Sequence, residues 1–125
     1  MNKTYIVAEV GPNHNGSFQL ALEFVEKLSL IGVDAIKFQI FKAHELLETS
    51  HEKFSLFKQL EFSNKEWKEI IHYAMSKKLK IFADVFGIES MKLADKLDVH
   101  GFKIHSSEIN NTKLFKYIRH YNKCC

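Results

Sequence analysis

Two rhythms alternate along this chain. Short, nearly continuous apolar runs are each followed by a longer stretch in which apolar residues return every three or four positions, and this alternation predicts βαβ units on a parallel sheet. The first run, "TYIVAEV" (4–10), is apolar almost throughout, as a strand covered on both faces requires. In "SFQLALEFVEKLSLIG" (17–32) the spacing places Leu20, Phe24, Leu28 and Ile31 on one helical face, with Ser17 as N-cap and Gly32 as a stop. "DAIKFQI" (34–40) predicts a second strand, and "SNKEWKEIIHYAMSKK" (63–78) a helix opened by the capping-box spacing of Ser63 and Glu66. Strand and helix then recur as "KIFADVF" (80–86) with "ESMKLADKL" (89–97), and as "GFKIHSS" (101–107) with "NTKLFKYIRHY" (111–121). Residues 41–62 form a long excursion with a short helix around His44 to Leu47, and long insertions after a strand are more often functional lids than accidents.

These are four βα units of roughly 30 residues each. No linker or low-complexity tract divides them, so residues 1–125 are expected to form one domain. An open doubly wound sheet and half of a (βα)₈ barrel both have this pattern. After the first strand the chain reads G-P-N-H-N-G, not the G-x-G-x-x-G of a dinucleotide fold. Polar residues gather at the C-terminal ends of several strands, where barrel enzymes place their sites. The expected fold is therefore α/β, the N-terminal half of a TIM-type (βα)₈ barrel.

Composition narrows the class without changing that picture. The 125 residues are 46% hydrophobic and 26% charged, in the range of a globular domain that buries a core. The net charge of +3 is dispersed, as in "NKEWKEI", so no basic block predicts nucleic acid or an anionic membrane as partner. No apolar run approaches the roughly 18 residues that span a bilayer, and "MNKTYIVAEV" is too short an apolar stretch for a signal peptide. A cytoplasmic location is the expectation. Cys124 and Cys125, adjacent at the end, suit neither a disulfide framework nor a zinc site.

The candidate chemistry lies at the strand ends: Glu9 with Asn13, His14 and Asn15; Lys37 with Gln39; Asp84; and Lys103, His105, Ser106, Ser107, Glu108 and Asn110. Lys37 sits inside the apolar run "AIKFQI", where a charge is costly unless it is paired or aimed at an anion. Lys103 repeats the situation in "GFKIHS". Two lysines buried in one barrel mouth would receive phosphate or carboxylate, with Glu9 and Glu108 pairing with them or serving as acid and base. Lys103 and Ser106 are an odd number of positions apart, so both line one pocket only if a bulge or the strand's end intervenes. Turn geometry alone accounts for His14 and its Asn and Gly neighbours. Nothing in the spacing demands that His14 and His105 ligate a metal, and no metal ligand is assigned. Trp67, Tyr73 and most phenylalanines read as core.

The motifs "AEVGPNHNGS", "GVDAIKFQIFKA" and "FKIHSSEINN", in this order and spacing, resemble the N-terminal part of the sialic acid (N-acetylneuraminate) synthase family, which includes legionaminic and pseudaminic acid synthases. The similarity covers essentially residues 4–121. It implies a (βα)₈ barrel followed by an antifreeze-like domain, and condensation of phosphoenolpyruvate with an N-acetylated hexosamine. In the implied mechanism phosphoenolpyruvate C3 attacks the sugar's open-chain aldehyde, polarised by a divalent metal, Mn²⁺ or Mg²⁺; water then adds at C2 and phosphate leaves. The resemblance assigns Lys37, Lys103 and Ser106 to phosphoenolpyruvate, and Glu9 and Glu108 to the sugar or the attacking water. Asn13 and His14 would shape the mouth, with Gln39 also a substrate contact.

Two positions depart from the family's pattern. Where the family often reads "STPF" after the third strand this chain reads "ADVFG", putting Asp84 where a hydroxyl is common. A carboxylate there repels phosphate unless a metal or a lysine intervenes. His105 stands where the family commonly carries a small residue. The family's later strands, with their metal-binding histidines, and the antifreeze-like domain have no counterpart in these 125 residues. The expectation is a fragment inactive alone, with open sheet edges that favour self-association. The alternative is a non-catalytic half-barrel that binds a phosphorylated or acidic sugar, or pairs with a fuller synthase.

Overall fold

The computed structural model describes residues 4–121. Strands β1 (Val7–Gly11), β2 (Ala35–Ile40), β3 (Lys80–Val85) and β4 (Gly101–Ile104) form one parallel sheet in the order β1-β2-β3-β4. The helices are α1 (Phe18–Ile31), α2 (Ala43–Leu46), α3 (Phe54–Leu60), α4 (Asn64–Ser76), α5 (Ile88–Lys96) and α6 (Thr112–Ile118). Parallel crossovers are right-handed, and here the strand order never reverses, so the crossover helices all fall on one face of the sheet. That is the winding of a barrel; a doubly wound sheet turns back at a switch point. The chain builds the expected four-unit half-barrel.

The two faces follow from the strand period of two. On β2, Ile36, Phe38 and Ile40 are fully buried and pack with Ile81, Ala83 and Val85 of β3 in one core with Trp67, Ile70, Ile71 and Ala74 of α4. Lys37 and Gln39, between them, project to the other face. Each fully buried large apolar side chain contributes roughly 1.5–3 kcal/mol, so the helix-side layer supplies most of the fold's stability.

Local signals set the element ends. Ser17 caps α1 by accepting from the Leu20 N–H at 3.2 Å, and Gly32 closes it with φ 77°, a left-handed value that glycine adopts freely. At α4 the Ser63 hydroxyl accepts from the Glu66 N–H and the Glu66 carboxylate accepts from the Ser63 N–H, the capping box expected from the sequence.

Three expectations shift. First, of the expected α1 face Phe24 and Leu28 pack against the core, but its centre is Ala21 and Val25, which are fully buried, and Ile31 is 73% exposed. The apolar stripe is wider than the strip that α4 and the sheet cover, and the small Ala21 lets the helix lie close. Second, β1 begins at Val7, not Thr4: the Ile6 N–H goes to the Asp34 carboxylate at 2.8 Å, outside the ladder. Third, β4 ends at Ile104, because His105 Nδ1 accepts from the Ser107 N–H and starts a 3₁₀ turn over Ser106–Glu108. Cys124 and Cys125 lie outside the described residues.

Candidate functional site

On the face of the sheet away from the helices, register brings the strand-end residues into rows. Glu9 of β1 is level with Lys37 of β2; one step nearer the C-terminal ends, Gln39, Asp84 and Lys103 lie level on β2, β3 and β4. A bulge at Val10 ends the regular β1–β2 pairing just after Glu9.

The charges alternate. Lys37 Nζ lies 3.2 Å from Glu9 Oε2 and 3.5 Å from Asp84 Oδ2, and Lys103 Nζ lies 3.1 Å from Asp84 Oδ1. Asp84 is 1% exposed, and each of its oxygens faces an ammonium without the alignment of a hydrogen bond. Coulomb attraction therefore holds it, and burial in a poorly screening setting makes that attraction worth more than at a surface. The lysines are not equally buried: Lys37 is 18% exposed and Lys103 is 47% exposed, so the expectation of two sunken lysines holds for the first, while the second reaches in from solvent. Asp84, which the sequence marks as a liability for an anion site, has a lysine on each side. Each ammonium keeps donors that Asp84 does not use.

The other candidate residues are placed as follows. Ser106 is exposed and opens the 3₁₀ turn, so the strand's end rather than a bulge frees it from the strict alternation of β4. Glu108 does not pair with a lysine: it accepts from Asn111 Nδ2 at 2.7 Å and from the Ser107 hydroxyl at 3.3 Å. Asn13 spends its amide on the Val10 carbonyl at 2.8 Å, fastening the turn after β1. His105 stacks on Phe86, ring centres 5.0 Å apart. His14 is not at the mouth: it is fully buried, 4.4 Å from the Phe62 ring centre and near Trp67, and its Nδ1 accepts from the Gly16 N–H. Burial pushes its pKa below the ordinary 6.5, and Nε2 meets no partner. It is a core histidine that locks the turn against α4.

That turn also fixes the excursion. Gly16 has φ 72°, and a Cβ there would meet the Gln59 carbonyl oxygen of α3 at 2.2 Å, so only glycine lets α3 approach. Two carboxylates hold the rest of residues 41–62. Glu45 accepts from the Glu89 N–H at 2.8 Å and the Ser90 N–H at 3.1 Å, capping α5 from another element. Glu61 accepts from the Ala43 N–H and pairs with Lys42 and Lys58; burial pushes its pKa up, but those partners outweigh burial and hold it below the ordinary value. The sequence reading missed Glu45. Its signal was Gly87, which opens α5 with no side chain to cap it.

A shallow groove of about 310 Å³ lies among the loops after β2, β3 and β4, lined by His44, Glu45, Phe86, Glu108 and Asn111 among others; neither Lys37 nor Lys103 lines it. Among the described residues no group of three His, Cys, Asp or Glu side chains converges to hold a metal ion. The cluster's carboxylates face ammonium groups instead. These residues do not by themselves fit the divalent ion that the resemblance implies, and what the geometry supports is binding and positioning. No helix among them is long and apolar enough to cross a membrane.

Comparison with known proteins places these features in a family. The profile described as "NeuB family" matches residues 24–124. N,N'-diacetyllegionaminic acid synthase of Campylobacter jejuni is 34% identical over 98% of this chain and 41% of its own length. N-acetylneuraminate-9-phosphate synthase of Mus musculus is 30% identical over 86% of this chain and 33% of its own. The crystal structure of N-acetylneuraminic acid synthetase from Leptospira borgpetersenii, in complex with citrate, superposes with a TM-score of 0.83 at 30% identity, over 92% of this chain and 40% of that one. The chain thus spans about two fifths or less of the length of these relatives.

Proposed function

Because the chain belongs to the NeuB family, we propose that it forms the phosphoenolpyruvate-binding part of a synthase that joins this substrate to an N-acetylated hexosamine. The observation that carries the reading is the cross-strand cluster: Lys37 and Lys103, from strands two apart, held by one buried Asp84 on the face that a closed barrel turns inward. Curated relatives named as legionaminic, pseudaminic and N-acetylneuraminate-9-phosphate synthases support the reaction class.

In this reading the chain's residues bind and orient. Lys37 and Lys103 neutralise the anion with preorganised charge. Ser106 offers a hydroxyl at the exit of β4, and Gln39 an amide in the same row as Asp84. Glu9, 55% exposed, stands where it can accept a proton or a sugar hydroxyl. Glu108 and Asn13, each tied to a neighbour in its own turn, shape the rim.

The test is calorimetric titration of the 125-residue chain with phosphoenolpyruvate. Saturable binding that Lys37→Ala removes is expected; binding unchanged in that variant overturns the assignment.

The same family reading includes self-association. Among the described residues strands β1 and β4 each pair on one side only, and Tyr5, Ile6 and Val7, leading into β1, are about half exposed, as Phe115 is on α6. Open edges of this kind recruit further strands, and a second copy is the occupant we propose. Sedimentation of these 125 residues should give a dimer or larger species, and a stable monomer contradicts the pairing.

A further inference from the structure

We propose that Asp84 is a specificity-determining positioning residue that makes the lysine cradle select a singly charged carboxylate over a phosphate dianion. This rests on the anion-binding reading above and says which kind of anion the two lysines take.

Counted at formal charge, Glu9, Lys37, Asp84 and Lys103 sum to zero. The two carboxylates are not equivalent. Glu9 touches only Lys37 within the cluster and is 55% exposed, so water solvates it readily when it swings away. Asp84 is 1% exposed, lies between both ammoniums at 3.1 and 3.5 Å, and has no hydrogen bond to replace them. Removing its cations would strand a bare charge in the protein. An incoming anion therefore displaces Glu9 and leaves Asp84 in place.

The cradle that remains carries Lys37, Asp84 and Lys103, a net +1. A single carboxylate neutralises it. A phosphate dianion leaves a net −1 and is forced close to the buried Asp84, where like charges repel even in partly screened surroundings. Exchange of one carboxylate for another also frees Glu9 toward the inner face as the anion arrives. For a substrate with both groups, the carboxylate then docks on the lysines and the phosphate lies beyond them.

The experiment measures binding of pyruvate, a monocarboxylate, and of inorganic phosphate to the 125-residue chain by calorimetry at matched ionic strength, near pH 8 where phosphate is a dianion. Wild type should bind pyruvate the more tightly, and Asp84→Asn, which keeps the shape and removes the charge, should raise phosphate affinity relative to pyruvate by about tenfold or more. A merely structural aspartate would weaken both anions together and leave their ratio unchanged. If Asp84→Asn does not fold, the wild-type preference decides alone. Phosphate bound as tightly as pyruvate by wild type, or an unmoved ratio in the variant, overturns this proposal and leaves the cradle standing. No binding of either anion by wild type overturns the cradle itself.

Discussion

The two faces of the same four strands obey opposite rules, though their residues alternate one by one. Toward the helices, Ile36, Phe38, Ile40, Ile81, Ala83 and Val85 are fully buried, and the aromatic rings of Phe38, Phe62 and Trp67 meet edge to face. On the other face the neighbouring positions hold Lys37, Gln39, Asp84 and Lys103, with Glu9 at the edge. One face is stabilised by area removed from water, and the strand positions pointing into it are apolar. The other keeps charges part-buried at a cost that only pairing offsets. Rigid apolar packing behind each strand is what fixes the charged residues in front of it, so the first face is the foundation of the second.

Substitutions on each face should separate these roles. The largest loss of stability is expected from Trp67→Ala, about 3–5 kcal/mol by urea unfolding, since the site is buried against Phe38, Phe62 and His14 and cannot collapse fully. A loss under about 1 kcal/mol would show that α4 is not the foundation described. Next is the double change Lys37→Met and Lys103→Met, which leaves Asp84 buried without a cation and should cost about 3 kcal/mol. Adding Asp84→Leu to that pair should restore most of the loss, as a charge cluster kept for binding rather than for folding predicts; no recovery would make Asp84 part of the foundation.

The smallest effect is confined to acid. His14 is buried neutral with its folded pKa below the ordinary 6.5, so the unfolded chain takes up the proton more readily. The stability involved is present in full above about pH 6.5 and is lost as the pH falls below it, until the folded form protonates too. His14→Phe should flatten that part of the stability–pH curve. An unchanged slope would place the acid sensitivity elsewhere.

Much of this contrast was legible in the sequence. Apolar runs bounded by Ser17, Gly32 and Ser63 fixed the order of elements, and a lysine inside "AIKFQI" announced a charge needing a partner. What the sequence withheld depends on register. Whether Asp84 repels an anion or holds its lysines turns on β3 lying between β2 and β4 with Gln39, Asp84 and Lys103 level, and pairing across strands leaves no trace in local spacing. The covered strip of α1 was read only in part, Phe24 and Leu28 but not Ala21 and Val25, for a similar reason, because Leu20 and Ala21 differ only in which neighbour lies above them. His14 looked like a turn residue and is one, but its burial is made by Phe62 and Trp67, some fifty residues away in the chain.

The central claim, that Lys37 and Lys103 jointly receive an anion, is tested most directly by following the side-chain nitrogen resonances of the lysines during titration with phosphoenolpyruvate. The Lys37 and Lys103 signals should move together along one saturating curve while those of Lys65 and Lys68, on the outer helix α4, stay still. Uniform small shifts across all lysines, or movement of one of the pair without the other, would contradict it.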